Sequence, residues 1–138
     1  MLLQAHHRAI TSFEIVRLKI SGMRGTEEYE MTMNDGMAEL SHYVIRYSDG
    51  EARRDLGRSA VCSEEEALKL LNACELPAWD GFYGPHPKHV KDGIMFTLDA
   101  VVNDSQKIHA EGSENFPKHY RVLTDGFYHL LAQNENEN

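Results

Sequence analysis

No stretch of this sequence is apolar enough, for long enough, to be a signal-peptide core or a membrane span. His6, His7, Arg8, Glu14, Arg17 and Lys19 interrupt residues 1–20, where a leader would lie. The expectation is a cytoplasmic chain with no membrane partner. Positive charge is scarce as well: 14 Lys and Arg against 22 Asp and Glu leave a net charge of -8. Nucleic-acid binding draws most of its affinity from clustered cations on phosphates, and the nearest thing to a basic run, Arg53-Arg54 with Arg58, is broken by Asp55. No nucleic-acid partner is expected.

Cysteine is almost absent. Cys62 and Cys74 flank a helix expected over 63–74, and twelve residues at 1.5 Å each span roughly 18 Å, whereas a disulfide needs Cα atoms within about 7 Å. Two free thiols in a reducing compartment follow. Neither has a CxxC partner, so zinc-ribbon and redox readings have no footing. There is no G-x-S-x-G elbow and no glycine-rich phosphate loop between a strand and a helix. No cofactor is called for. Proline is rare too, and unevenly spread: of four, three (Pro77, Pro85, Pro87) fall in 76–93 together with the only tryptophan, Trp79.

What is present is the composition of a folded chain, 41% apolar and 26% charged, at a length suited to one core. One domain over 1–132 is expected, with a polar tail over 133–138. Val16, Leu18 and Ile20 alternate with Arg17 and Lys19, as in a half-buried strand. After a turn at 21–26, Tyr29, Met31 and Met33 alternate with Glu28, Glu30 and Thr32, giving a second strand with an acidic face in water. Asn34-Asp35-Gly36 and Ser48-Asp49-Gly50 are hairpin turns, since these residues tolerate positive φ. Between them, 37–47 is apolar on both faces and reads as a central strand, and the more polar 51–61 suits an edge. Ser63 with Glu66 forms a capping box ahead of the stripe Ala67, Leu68, Leu71, Cys74.

The period disappears over 76–93. It returns as the clearest strand, where Ile94, Phe96, Leu98, Ala100 and Val102 alternate inward, with 107–111 as its hairpin partner. Pro117 fits a first helical turn, and Phe116, Tyr120, Leu123, Phe127, Leu130 and Leu131 trace an amphipathic helix. Gly126 is a flaw in it of about 1 kcal/mol relative to alanine. The fold class that follows is α+β: an antiparallel sheet of about six strands with two helices packed on one face, a two-layer sandwich.

Chemistry has three places to reside. His86-x-x-His89, with His119, Glu114 or Asp92 as a third ligand, has a zinc-like spacing, but Pro85 and Pro87 flank the first histidine and deprive that spacing of helical meaning. The 112–115 turn, leading into the last helix, could offer free amides to an anion, unless Ser113, Glu114 and Asn115 cap those amides themselves. Trp79, Phe82 and Tyr83 with Asp80, Lys88 and Asp92 could line a pocket, although a lone tryptophan after a helix also commonly plugs the core. A segment this long without periodicity keeps a functional reading open.

Trp79-Asp80-Gly81-Phe82, Asp92-Gly93-x-x-Phe96 and Gly112-Ser113-Glu114-Asn115-Phe116-Pro117-x-x-Tyr120 together resemble the markers of an uncharacterised family of small proteins from Gram-positive, often gut-associated, bacteria. The likeness extends over about 13–131. That family carries no assigned activity, so the resemblance transfers no catalytic residue; some of its members look membrane-anchored or secreted. The leading expectation is a non-enzymatic domain that binds a small molecule or protein partner through 76–93 and 112–117, using Trp79, Asp80, Phe82, Tyr83, His86, His89, Asp92, Ser113 and Asn115. The alternative is a metal-dependent or hydrolytic enzyme using His86, His89, Asp92 and Glu114. Self-association through an edge strand is a third reading.

Overall fold

The computed structural model describes residues 8–91 and 93–135. It is an α+β fold with a seven-stranded, mostly antiparallel sheet and two helices. The strands are β1 (Phe13–Gly22), β2 (Gly25–Asn34), β3 (Met37–Ser48), β4 (Glu51–Ser63), β5 (Tyr83–Gly84), β6 (Met95–Val102) and β7 (Gln106–Ser113). Their order across the sheet is β4-β3-β2-β1-β6-β7-β5. The helices are α1 (Glu64–Ala73) and α2 (Tyr120–Glu135).

The two hairpin turns adopt the expected backbone, with φ of 52° and 79° at Asp35 and Gly36 and of 53° and 80° at Asp49 and Gly50. They pin the registers Tyr29↔His42 and Arg46↔Arg53. The Ser63 hydroxyl caps α1 by accepting from the Glu66 amide at 3.1 Å. β4 is the edge strand its polarity predicts, and it carries a bulge at Gly57, where Arg58 pairs with His42 and Leu56 with Tyr43. Both cysteines are free and buried.

One cluster gathers the inward side chains of the sheet, among them Val16, Leu18, Met31, Leu40 and Leu98, with Ala67 and Leu71 of α1 and Leu123, Phe127 and Leu131 of α2. Burying each large side chain of this kind is worth about 1.5–3 kcal/mol. Tyr29 stacks on Phe127 with ring centroids 5.3 Å apart, tying β2 to α2.

Several expectations need correction. Among the described residues there are seven strands, not about six, because β5 forms inside the aperiodic segment and runs parallel to β7. The central strand is β1; β3 lies next to the edge, and its second apolar face is covered by side chains of its own sheet, with the Arg54 guanidinium 3.9 Å above the Tyr43 ring. The acidic face of β2 is not simply in water: Glu28 is buried and receives Arg54 Nη2 at 2.6 Å, while Glu30 binds Arg17 at 2.7 Å and Arg54 at 3.2 Å. These carboxylates hold the Arg54 guanidinium above its usual pKa even though burial works in the other direction.

α2 begins at Tyr120 and not at Pro117, because His119 takes a positive φ of 69° and interrupts the approach. It continues to Glu135, so part of the expected polar tail is helical, and 136–138 lie outside the described residues. Gly126 is not a flaw. A Cβ there would stand 2.3 Å from Leu70 Cδ1, so the glycine is what lets α2 approach α1 closely. The His6-His7 pair lies outside the described residues. Among the described residues no helix is long and apolar enough to cross a membrane.

Candidate functional site

The segment 76–93 starts as a single 3-10 turn, Leu76–Trp79, entered through Glu75 at a φ of 53°. That turn drives Trp79 inward. Its indole is 1% exposed, donates Nε1–H to the Cys74 carbonyl at 3.1 Å and stacks on Tyr120 at 6.0 Å. Phe82 continues the same aromatic group against Phe96, which packs in turn on Phe116 and Tyr120. Of the three aromatic rings proposed as pocket lining, Trp79 is therefore core, Phe82 is half-buried against it, and only Tyr83 is well exposed.

The segment is then stitched to β7. Gly81 N–H donates to the His109 carbonyl at 2.9 Å, Asp80 Oδ1 accepts from the His109 amide at 2.9 Å, and the Phe82 carbonyl accepts from the Glu111 amide at 3.1 Å. Gly84 pairs with Gly112, and a Cβ on either would fall 2.6 or 2.1 Å from the Asn115 carbonyl oxygen. Ser113 Oγ meets His86 Nδ1 at 2.7 Å. Residues of 76–93 and of 112–117 thus meet in these contacts. The contacts themselves are a clasp in which backbone bonds are supplemented by the side chains of Asp80, His86 and Ser113.

His86 is fully engaged. Its Nε2 donates to the Val90 carbonyl, which can only accept, and its Nδ1 pairs with the Ser113 hydroxyl, so both ring nitrogens have partners within the protein. His89 is exposed in a tight turn at a φ of 73°. His119 pairs with Glu75 at 2.7 Å, and a Glu114 oxygen accepts the Ile94 amide. Asp92 lies outside the described residues. Among the described residues no group of three or more His, Cys, Asp and Glu is placed to hold a metal ion. The anion site considered at 112–115 loses its premise, as does the capping of a helix there, because this turn ends β7, with Glu114 at a φ of 50°, and lies ahead of the first helical residue, Tyr120.

The concave surface lies beside the clasp. A cavity of about 420 Å³ opens between the β1–β2 turn and the start of β6, lined by Ile20 and Ile94, with the exposed Met23 at its rim, and flanked by Glu27 and Glu114. It shares Ile20 and Ile94 with a second cavity of about 580 Å³ bounded by Phe116, Pro117 and Tyr120. It shares Arg24 and Glu27 with a third, of about 570 Å³, that reaches His42, Arg46 and Arg53. The shared residues join the three into one trench across the end of the sheet. None of the described residues first singled out in 76–93, nor Ser113 or Asn115, lines it; its wall there is Gly93, Ile94 and Glu114.

At the middle of the trench Glu27 Oε1 lies 3.2 Å from His42 Nε2, and the Tyr29 ring lies 4.7 Å from the His42 ring. Burial, with the charge of Glu27 added to it, pushes Tyr29 up to about 12 and moves Tyr120 in the same direction. Sequence reasoning passed over Glu27, His42, Arg24, Arg46 and Arg53. The signal was available in part: the 34–36 hairpin turn sets Tyr29 opposite His42, which brings Glu27 to the same face two residues along. Comparison of the chain with protein-family models and with curated proteins finds no match.

Proposed function

We propose that this protein is a non-enzymatic, cytoplasmic binding domain whose ligand lies in the trench at the open end of the sheet, beside the clasp of 76–93 and 112–117. The reading takes the fold as a two-layer sandwich with both helices on one face, and the ligand as occupying the part of that face which α2 leaves uncovered. The observation that carries it is the sharing of Ile20 and Ile94 by two adjoining cavities, with Ile94 46% exposed. Water against an exposed isoleucine in a concavity is unfavourable, and an apolar ligand that covers the side chain removes that cost. The role first given to Trp79 and Phe82 becomes indirect: they hold the backbone from which Gly93 and Ile94 form the wall. The engaged nitrogens of His86 weigh against the metal-dependent or hydrolytic alternative.

The test is a titration of the labelled protein with 1-octanol, followed by amide and methyl chemical shifts. Saturable shifts centred on Ile20 and Ile94, and lost in Ile94→Asp, are expected. Shifts scattered over the surface, or persisting in that variant, would refute the reading.

A further inference from the structure

The third cavity of the trench has a chemistry unlike the rest of this acidic chain. Arg24, Arg46 and Arg53 surround it, together with Ser48, and among the described residues Glu27 is the one carboxylate on its wall. Arg46 and Arg53 are directly opposed in register, an arrangement that is unfavourable unless an anion lies between them. Asp55 serves both, at 2.9 Å from Arg46 Nε and 2.9 Å from Arg53 Nε. One carboxylate for two guanidiniums leaves positive charge over, and Arg24 has no ion-pair partner among the described residues. Glu27, on the same wall, offsets part of this charge, so the three guanidiniums of Arg24, Arg46 and Arg53 face two carboxylates, Asp55 and Glu27, and positive charge is still left over.

We infer that the trench takes a single-chain amphiphilic anion, its aliphatic part over Ile20 and Ile94 and its phosphate-type head among Arg24, Arg46 and Arg53. The inference rests on the trench being the binding site. Guanidinium groups suit such a head because their fork of N–H donors matches phosphate oxygens two at a time. From β6 to β4 the trench crosses four inter-strand gaps, roughly 19 Å at the usual spacing, so the apolar and basic parts are far enough apart for one extended molecule to touch both.

Calorimetric titration with octyl phosphate, 1-octanol and octylammonium, each below its aggregation limit, tests the assignment. Octyl phosphate is expected to bind about tenfold or more tightly than 1-octanol, with the difference falling as salt is raised. The double variant Arg46→Ala/Arg53→Ala, checked for an unchanged circular-dichroism spectrum, should bring octyl phosphate down to the level of octanol. Asp55→Asn should tighten it, because the competing internal anion is gone. Equal affinity of phosphate and alcohol, or preference for octylammonium, overturns the head-group inference while leaving the trench in place. Failure of all three ligands to bind removes the trench reading as well. Binding to anionic vesicles without any response to monomeric octyl phosphate also overturns the inference, in favour of a membrane surface.

Discussion

A Cβ at Gly126 would stand 2.3 Å from Leu70 Cδ1 and 3.1 Å from its Cγ, so an alanine there must displace the whole Leu70 side chain and not only its tip. Helix propensity favours the alanine by about 1 kcal/mol, and overpacking between helices opposes it by about 1–3 kcal/mol. Gly126→Ala is therefore expected to lower stability by roughly 1 kcal/mol in urea unfolding, and Leu70→Ala in that background should recover part of the loss; a stabilised single variant would refute the close-approach account. His109 offers a second test at this scale. Its Nδ1 lies 2.6 Å from Asp99 and its Nε2 3.3 Å from Glu111, and the Asp99 hydrogen bond, supported by Glu111, raises the imidazole above 6.5. A raised pKa in the folded state means that the stabilisation is complete below about 6.5 and is lost as pH rises through the folded value. The site is about half exposed, so its effect on stability will be small, and a titration read by NMR is the better measure. His109 should titrate above 6.5, and Asp99→Asn should bring it down.

The element that depends most on non-local structure is the clasp between 76–93 and 112–117. A Cβ on Gly112 would lie 2.1 Å from the Asn115 carbonyl oxygen and 2.8 Å from Phe96 Cε1. A backbone carbonyl cannot rotate aside as a side chain can, so Gly112→Ala should cost about 2–3 kcal/mol. The loss should come with faster hydrogen exchange at the Gly81 and Glu111 amides, which belong to the same stitch; unchanged exchange there would show that the clasp is not one cooperative unit. This region also marks how far sequence reasoning reached. The strands around Val16, Met31 and Leu98 were legible because a period of two is a local property, and the turns at Asp35 and Asp49 because positive φ selects few residues. β5 was not legible: two residues have no period, and their pairing with Glu111 and Gly112 is decided by the distant clasp. The start of α2 was misplaced because Pro117 satisfies a first-turn rule that His119 then breaks. The trench was hidden for a related reason, since Ile20, Glu27 and Ile94 share no motif and meet only through sheet register and order.

Taken as a whole, the molecule stores protonated groups in its interior, and this governs how it should respond to alkali. Cys74 has no exposure and Tyr29 8%; burial pushes the Cys74 thiol from 9.0 up to about 12 and, with the help of Glu27, the Tyr29 phenol from 10.0 up to about 12. Burial raises Cys62 and Tyr120 as well. In the unfolded chain these groups lose their protons first, so above about pH 9 the unfolded state holds fewer protons than the folded one. Stability must then fall as pH rises. The contribution is complete below pH 9 and disappears as pH passes through about 12. Each tenfold separation is worth about 1.4 kcal/mol, which sets an upper limit on the order of 4 kcal/mol for Cys74 and 3 kcal/mol for Tyr29. Domains of this size are stable by about 5–15 kcal/mol, so alkali alone should bring the chain close to unfolding. Trp79, 1% exposed and bonded to the Cys74 carbonyl, is a built-in reporter through its fluorescence. The urea midpoint read from its emission should be level to about pH 9 and then fall steeply. Cys74→Ala should make the fall above pH 9 shallower, since Cys62 alone of the thiols then contributes there, and Cys62→Ala/Cys74→Ala should delay the onset toward pH 10, where the tyrosines take over. A midpoint unchanged at pH 11 would mean that the interior opens to water around these groups without unfolding, and the closed core described for Trp79, Cys74 and Tyr120 would have to be given up.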